Sequence, residues 1–142
     1  MKIVINSCYG GFGLSHEAIM KYAELSGFEI YPFVDESSIA GRDFSLETKE
    51  RFIPYDGQKA FLIHYSTKPL TEDGKYEEDS YWCIQGIGRD DPLLVRVVEE
   101  LKAKANGNHA KLKIVKIPDG IEYEIDEYDG IESIHEVHKS WS

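Results

Sequence analysis

Apolar and polar positions along the chain fall into distinct patterns, and each pattern predicts an element. Residues 3–8 form an apolar run broken only by Asn6 and Ser7, which predicts a strand covered on both faces. Ala18, Ile19, Tyr22, Ala23 and Leu25 then recur at helical spacing. Ser15 precedes them as an N-cap, Glu17 complements the dipole, and Gly27 closes the helix as a C′ residue. Residues 28–35 predict a second strand, at an edge or bulged, because Pro32 has no N–H to donate. Residues 36–59 are irregular, with turn residues Ser37, Ser38, Gly41, Pro54 and Gly57 and a short helical piece over 45–51. A third strand over 60–67 is followed by a polar, hairpin-like stretch and a returning strand over 81–84. Asp91-Pro92 starts a second helix whose stripe is Leu94, Val97, Val98 and Leu101, with Lys102 and Lys104 in its last turn and Gly107 ending it. Residues 112–117 and 123–128 alternate as strands, and Asp129-Gly130 turns the chain so that 131–138 pairs back.

This order predicts an α/β or α+β fold in a single globular domain, 1–142. Its mixed sheet has five to seven strands and two main helices, with a βαβ-like start, parallel strands at the centre and an antiparallel C-terminal hairpin. A hydrophobic content of 42% and a charged content of 30% are globular values, so the chain can bury a core without staples. No apolar run approaches the ~18 residues of a membrane span, and Met1-Lys2 leads straight into a strand without a signal-peptide pattern, so no membrane and a cytoplasmic setting are expected. Cys8 and Cys83 lack metal-ligand spacing and read as free thiols. The formal charge of −10 repels nucleic-acid backbones, so no direct nucleic acid is expected, while a basic protein partner stays open. The irregular segment carries positive charge at Arg42, Lys49 and Arg51.

The chemistry centres on the stretch from Lys2 to Ser15, where an apolar strand meets the glycine turn Tyr9-Gly10-Gly11-Phe12-Gly13 and opens into a helix. A Gly-rich corner at a helix N-terminus directs unpartnered backbone N–H groups at one spot, an anion-binding geometry; the plainer reading is a tight turn. Gly11 and Gly13 match the first two glycines of a dinucleotide fingerprint, but His16 stands at the third position. Asp35 lies 22 residues past Gly13, where such folds place a ribose-binding acid. No Gly-Lys-Ser/Thr follows, so this is no Walker loop, and Leu14 replaces the arginine of a cysteine-phosphatase loop. What remains is a binding corner of Asn6, Tyr9, Gly10, Gly11, Phe12, Gly13, Ser15 and His16, joined by Asp35 and by Arg89 as the full positive charge. Tyr9 and Phe12 equally suit packing on the sheet. Asp90 and Asp91 read first as helix caps, and Trp82 as a core or stacking ring. His135 and His138, three apart on a strand, point to opposite faces, so no metal and no cofactor is expected.

The opening Met1-Lys-Ile-Val-Ile-Asn-Ser-Cys-Tyr-Gly-Gly-Phe-Gly-Leu-Ser15 resembles an uncharacterised family of small proteins encoded by phages and prophages. Arg89-Asp-Asp-Pro92, Val98-Glu-Glu-Leu101, Ile117-Pro-Asp119, Tyr128-Asp-Gly130 and His138-Lys-Ser-Trp141 carry the same resemblance. It covers both ends of the chain, leaves out roughly 36–85, and brings no established activity. The phage setting it implies favours counter-defence, including sequestration of nucleotide-derived immune signals. The leading expectation is therefore a non-enzymatic binder of a small phosphate- or ribose-containing molecule. One alternative is a nucleotide hydrolase or glycosidase, with Asp35, Asp90 or Asp91 as carboxylate and His16 as acid–base partner. Another is an acidic interaction protein or nucleic-acid mimic that masks a basic partner. Small-ligand binders often place pockets between subunits, which leaves a homo-oligomer open.

Overall fold

The computed structural model describes residues 1–36, 51–57 and 62–137, except the side chain of Gln85. In chain order its regular elements are β1 (Lys2–Asn6), α1 (His16–Ser26), β2 (Tyr31–Asp35), β3 (Phe52–Pro54), β4 (His64–Ser66), β5 (Tyr81–Trp82), α2 (Pro92–Leu101), β6 (Leu112–Lys116), β7 (Tyr123–Tyr128) and β8 (Ile131–Glu136). The chain divides into two compact units, one of residues 1–26 with 84–142 and one of residues 27–83. Among the described residues no helix is long and apolar enough to cross a membrane.

In the first unit, Ile3, Val4 and Ile5 of β1 are buried with Ala18, Ile19, Tyr22 and Ala23 of α1 and Leu94, Val95, Val97 and Val98 of α2. Burying one large aliphatic side chain contributes about 1.5–3 kcal/mol, so this layer is the unit's core. Both helix starts follow from their caps. The Ala18 N–H donates to Ser15 Oγ at 3.1 Å, and the N–H groups of Leu93 and Leu94 donate to Asp91 Oδ1 at 2.8 and 3.3 Å. Gly27, at φ +81°, ends α1 as expected.

The α2 terminus differs from expectation. The helix ends at Leu101, Lys102 takes φ 54°, and a short 3-10 turn follows over Lys102–Ala105. The chain leaves the helix early because Ala105 is buried and accepts the Ser15 N–H at 2.9 Å. Gly107 instead packs on Gly13, where a Cβ would lie 2.8 Å from the Gly13 carbonyl carbon.

The mixed α/β class, the two helices and the C-terminal antiparallel hairpin are as the sequence predicts. Asp129 (φ 51°) and Gly130 (φ 89°) are both left-handed, the combination that a primed two-residue turn needs to match the strand twist. The sheet arrangement is different. Among the described residues eight strands form three antiparallel sheets, β1-β6, β3-β2-β4-β5 and β7-β8. The expected single mixed sheet with a parallel centre is therefore replaced, and β1 pairs with β6 rather than joining β2 in a βαβ unit.

In the second unit β2 is central, between β3 and β4, rather than an edge. Pro32 is tolerated because its carbonyl faces β3 and accepts the Tyr55 N–H at 2.9 Å beyond the last β3 strand residue. Its missing donor falls at the end of that ladder, where one bond is lost rather than a register. The expected helical piece over 45–51 lies almost wholly outside the described residues, as do residues 60 and 61 of the third predicted strand and the tail from His138 onward.

Candidate functional site

The glycine corner is held by a polar knot. Asn6, fully buried at the end of β1, donates from Nδ2 to the carbonyls of Cys8 at 2.8 Å and Gly130 at 2.6 Å. Its Oδ1 accepts the Lys111 N–H at 2.8 Å and the Cys8 N–H at 3.4 Å, so donors and acceptor are all engaged. The Asn6 backbone N–H donates to Glu132 Oε1 at 2.8 Å. Glu132 is in turn gripped by Arg89 in a two-pronged pair of 2.6 and 2.8 Å, and Arg89 Nη1 also reaches the Val4 carbonyl at 3.2 Å. The Phe12 ring covers the guanidinium, 3.5 Å from Cζ to ring centroid.

The glycines are there for close approach. Gly10 (φ +121°) donates to the Asp129 carbonyl at 3.2 Å, and a Cβ on it would lie 2.6 Å from that of His109. A Cβ on Gly130 would lie 2.6 Å from the Gly10 nitrogen and would overlap that of Gly11. Gly13 accepts the Gly107 N–H at 3.0 Å, and Ser15 Oγ donates to the Lys104 carbonyl at 2.6 Å while capping α1. Burial holds the His16 imidazole below its ordinary pKa.

The structure thus gathers Asn6, Gly10, Gly11, Phe12 and Arg89 around one knot, and places Gly13, Ser15 and His16 along the adjoining helix entry. Arg89, expected to carry the free positive charge of the site, is neutralised by Glu132. Among the described residues the depression beside the corner is lined by Tyr9, Gly10, Glu127, Asp129 and Gly130, with two carboxylates and no cation. Asp35 belongs to the other unit, opposite Phe52 on the β2–β3 ladder. Asp91 is occupied as the α2 cap and accepts the Tyr22 hydroxyl at 3.0 Å; burial, then this bond, pushes the Tyr22 hydroxyl's pKa up. Cys8 Sγ lies 3.6 Å from Asn6 Oδ1 and 3.4 Å from the His109 carbonyl, contacts of a packed thiol.

The second unit holds a feature that periodicity does not reveal. Phe33 is fully buried among Phe52, His64 and Tyr76, at ring centroid distances of 5.2, 5.3 and 5.2 Å. The Phe33–Phe52 contact is edge-to-face and the Phe33–His64 contact stacked, geometries favoured by ring quadrupoles. His64 Nδ1 lies 2.9 Å from the Tyr81 hydroxyl, and burial lowers its pKa against the opposing pull of Asp35. On this base sits a cavity of about 350 Å³, lined in part by Tyr31, Phe33, Arg51, Phe52, Tyr55 and Leu70.

Among the described residues Arg51 is the one arginine or lysine in that lining, its side chain 60% exposed and loosely associated with Glu36 at 4.0 Å. Gly74 (φ +75°) makes room for it, since a Cβ there would lie 2.6 Å from Arg51 Cγ. The legible signal was the run Arg51-Phe-Ile-Pro-Tyr55, which sets an arginine beside two aromatic rings within five residues. Its short strand and turn residues read as irregular because three residues are too few to show a period. Comparison of the chain with protein-family models, curated proteins and solved structures gives no match.

Proposed function

We propose that this protein binds a small nucleotide-derived molecule without turning it over, and that the aromatic cavity of the 27–83 unit receives its ring. The observation that carries this reading is a ring-lined cavity of about 350 Å³ with the exposed guanidinium of Arg51 in its wall. That volume falls within the ~300–1,000 Å³ of small-ligand sites. Stacking a base on an aromatic side chain contributes about 1–3 kcal/mol, and Arg51 supplies the planar donors that a phosphate accepts. The glycine corner serves in this reading as scaffold. In a phage setting, holding such a molecule away from its receptor is counter-defence.

The test mixes purified protein with a panel of nucleotides and cyclic ADP-ribose-type signals, filters it, and analyses both the filtrate and the heat-denatured protein by mass spectrometry. The expected result is one compound depleted from the filtrate and released intact by heat. Arg51→Ala and Tyr55→Ala should each lose that retention while unfolding like the parent. Conversion of a compound to products would replace the reading with a nucleotide hydrolase or glycosidase. Passage of every compound unchanged would remove it.

A further inference from the structure

The β7–β8 hairpin carries a group of side chains that neither the corner nor the cavity uses. Register sets Glu124 directly opposite His135 and Asp126 opposite Ser133, so Glu124, Asp126 and His135 share one face. The other face carries Tyr123, Ile125, Glu132 and Ile134, with Glu132 buried, so the first face is turned to solvent. Within 117–137 there are eight carboxylate residues and no lysine or arginine. The His135 imidazole stands between two of those carboxylates, Nδ1 at 2.7 Å from Asp126 Oδ2 and Nε2 at 3.4 Å from Glu124 Oε2. One ligand atom from each of the three side chains lies within 4.8 Å of the others.

From this arrangement we propose that Glu124, Asp126 and His135 form a surface site for a divalent transition-metal ion. Ligands of such an ion stand ~2.0–2.2 Å from it, which puts neighbouring ligands about 3 Å apart and opposite ones about 4 Å apart. The three groups are already at that scale, and as exposed side chains they close the remainder by rotation. A neutral imidazole with two carboxylates balances the charge of a divalent ion, and one nitrogen with two oxygens suits zinc, cobalt, nickel or manganese over calcium or magnesium. Water completes the coordination. The paired strands and the left-handed turn hold the ligand-bearing backbone in register before any ion arrives. The second histidine of the sequence motif, His138, is not needed, because the partners of His135 come from across the hairpin.

The experiment is calorimetric titration of the full chain with Zn²⁺, repeated with Co²⁺ to read the visible spectrum. One ion per chain is expected. His135→Ala and Asp126→Asn should each weaken binding by at least the ~10–100-fold that losing even an outer partner costs. Glu127→Gln, on the other face, and His138→Ala should bind like the parent. Zn²⁺ should also raise the thermal midpoint of the parent and leave that of His135→Ala unmoved. Asp126, Glu127 and His135 are solvent-facing, and circular dichroism without metal verifies that each variant folds. No binding by the parent would overturn the proposal, as would parent-like affinity in His135→Ala or loss of binding in His138→Ala.

Discussion

The glycine corner and the aromatic cavity use polar groups in opposite ways. Asn6, Arg89 and Glu132 spend their hydrogen bonds on one another and on the backbones of Val4, Cys8, Lys111 and Gly130. Arg51 keeps its charge in water beside a wall of rings. The same residue types, an arginine near aromatic rings and glycines, thus serve cohesion in one unit and leave a concave surface in the other. The difference is burial. A guanidinium with a carboxylate in a buried setting is committed to that partner, because separation leaves a charge without water, whereas an exposed guanidinium trades its waters for a ligand at small cost.

The strongest way to break this contrast is to remove the carboxylate of the knot. Glu132→Ala leaves Arg89 without its partner and the Asn6 N–H without an acceptor, and should cost about 3–5 kcal/mol in denaturant unfolding. Glu132→Gln, which keeps an acceptor for Asn6, should lose less. If Glu132→Ala unfolded like the parent, the knot would not be structural. Next comes Gly130→Ala, which combines a left-handed backbone with overlap on the Gly10–Gly11 nitrogens. It should cost about 2 kcal/mol or more, against a few tenths for an exposed surface change.

Acidification probes both units through one residue type. Burial lowers the pKa of His16 in the first unit and of His64 in the second below 6.5, so the unfolded chain takes up these protons first. Their contribution to stability is whole above pH 6.5 and is lost as pH falls through the folded-state values. Thermal midpoints should therefore drop below about pH 6.5, and His16→Gln or His64→Gln should flatten that decline. A midpoint that rose on acidification would contradict the assignment. The smallest effect on stability belongs to Arg51→Ala, within about 0.5 kcal/mol of the parent, and it sharpens the comparison because the same change should abolish ligand retention.

Local chemistry was readable from the chain alone. Ser15 and Asp91 as caps, Gly27 as a helix stop and Asp129-Gly130 as a hairpin turn depend on a few neighbouring residues, so their sequence signatures suffice. The apolar stripes of both helices and the run of β1 likewise announce burial, because the period of a pattern reports which face leaves water. Partner choice was not readable. That β1 pairs antiparallel with β6, that Arg89 meets Glu132 across 43 positions, and that a strand containing Pro32 lies inside its sheet are outcomes of packing between distant segments. A period carries no address for its partner. The corner's glycines were legible as a tight turn and its arginine as a cation, but only the folded chain decided that a buried glutamate would claim that cation. The rings around Phe33, those of Phe52, His64, Tyr76 and Tyr81, come from four separate places in the chain, and their convergence on it exists only once the four strands are laid side by side.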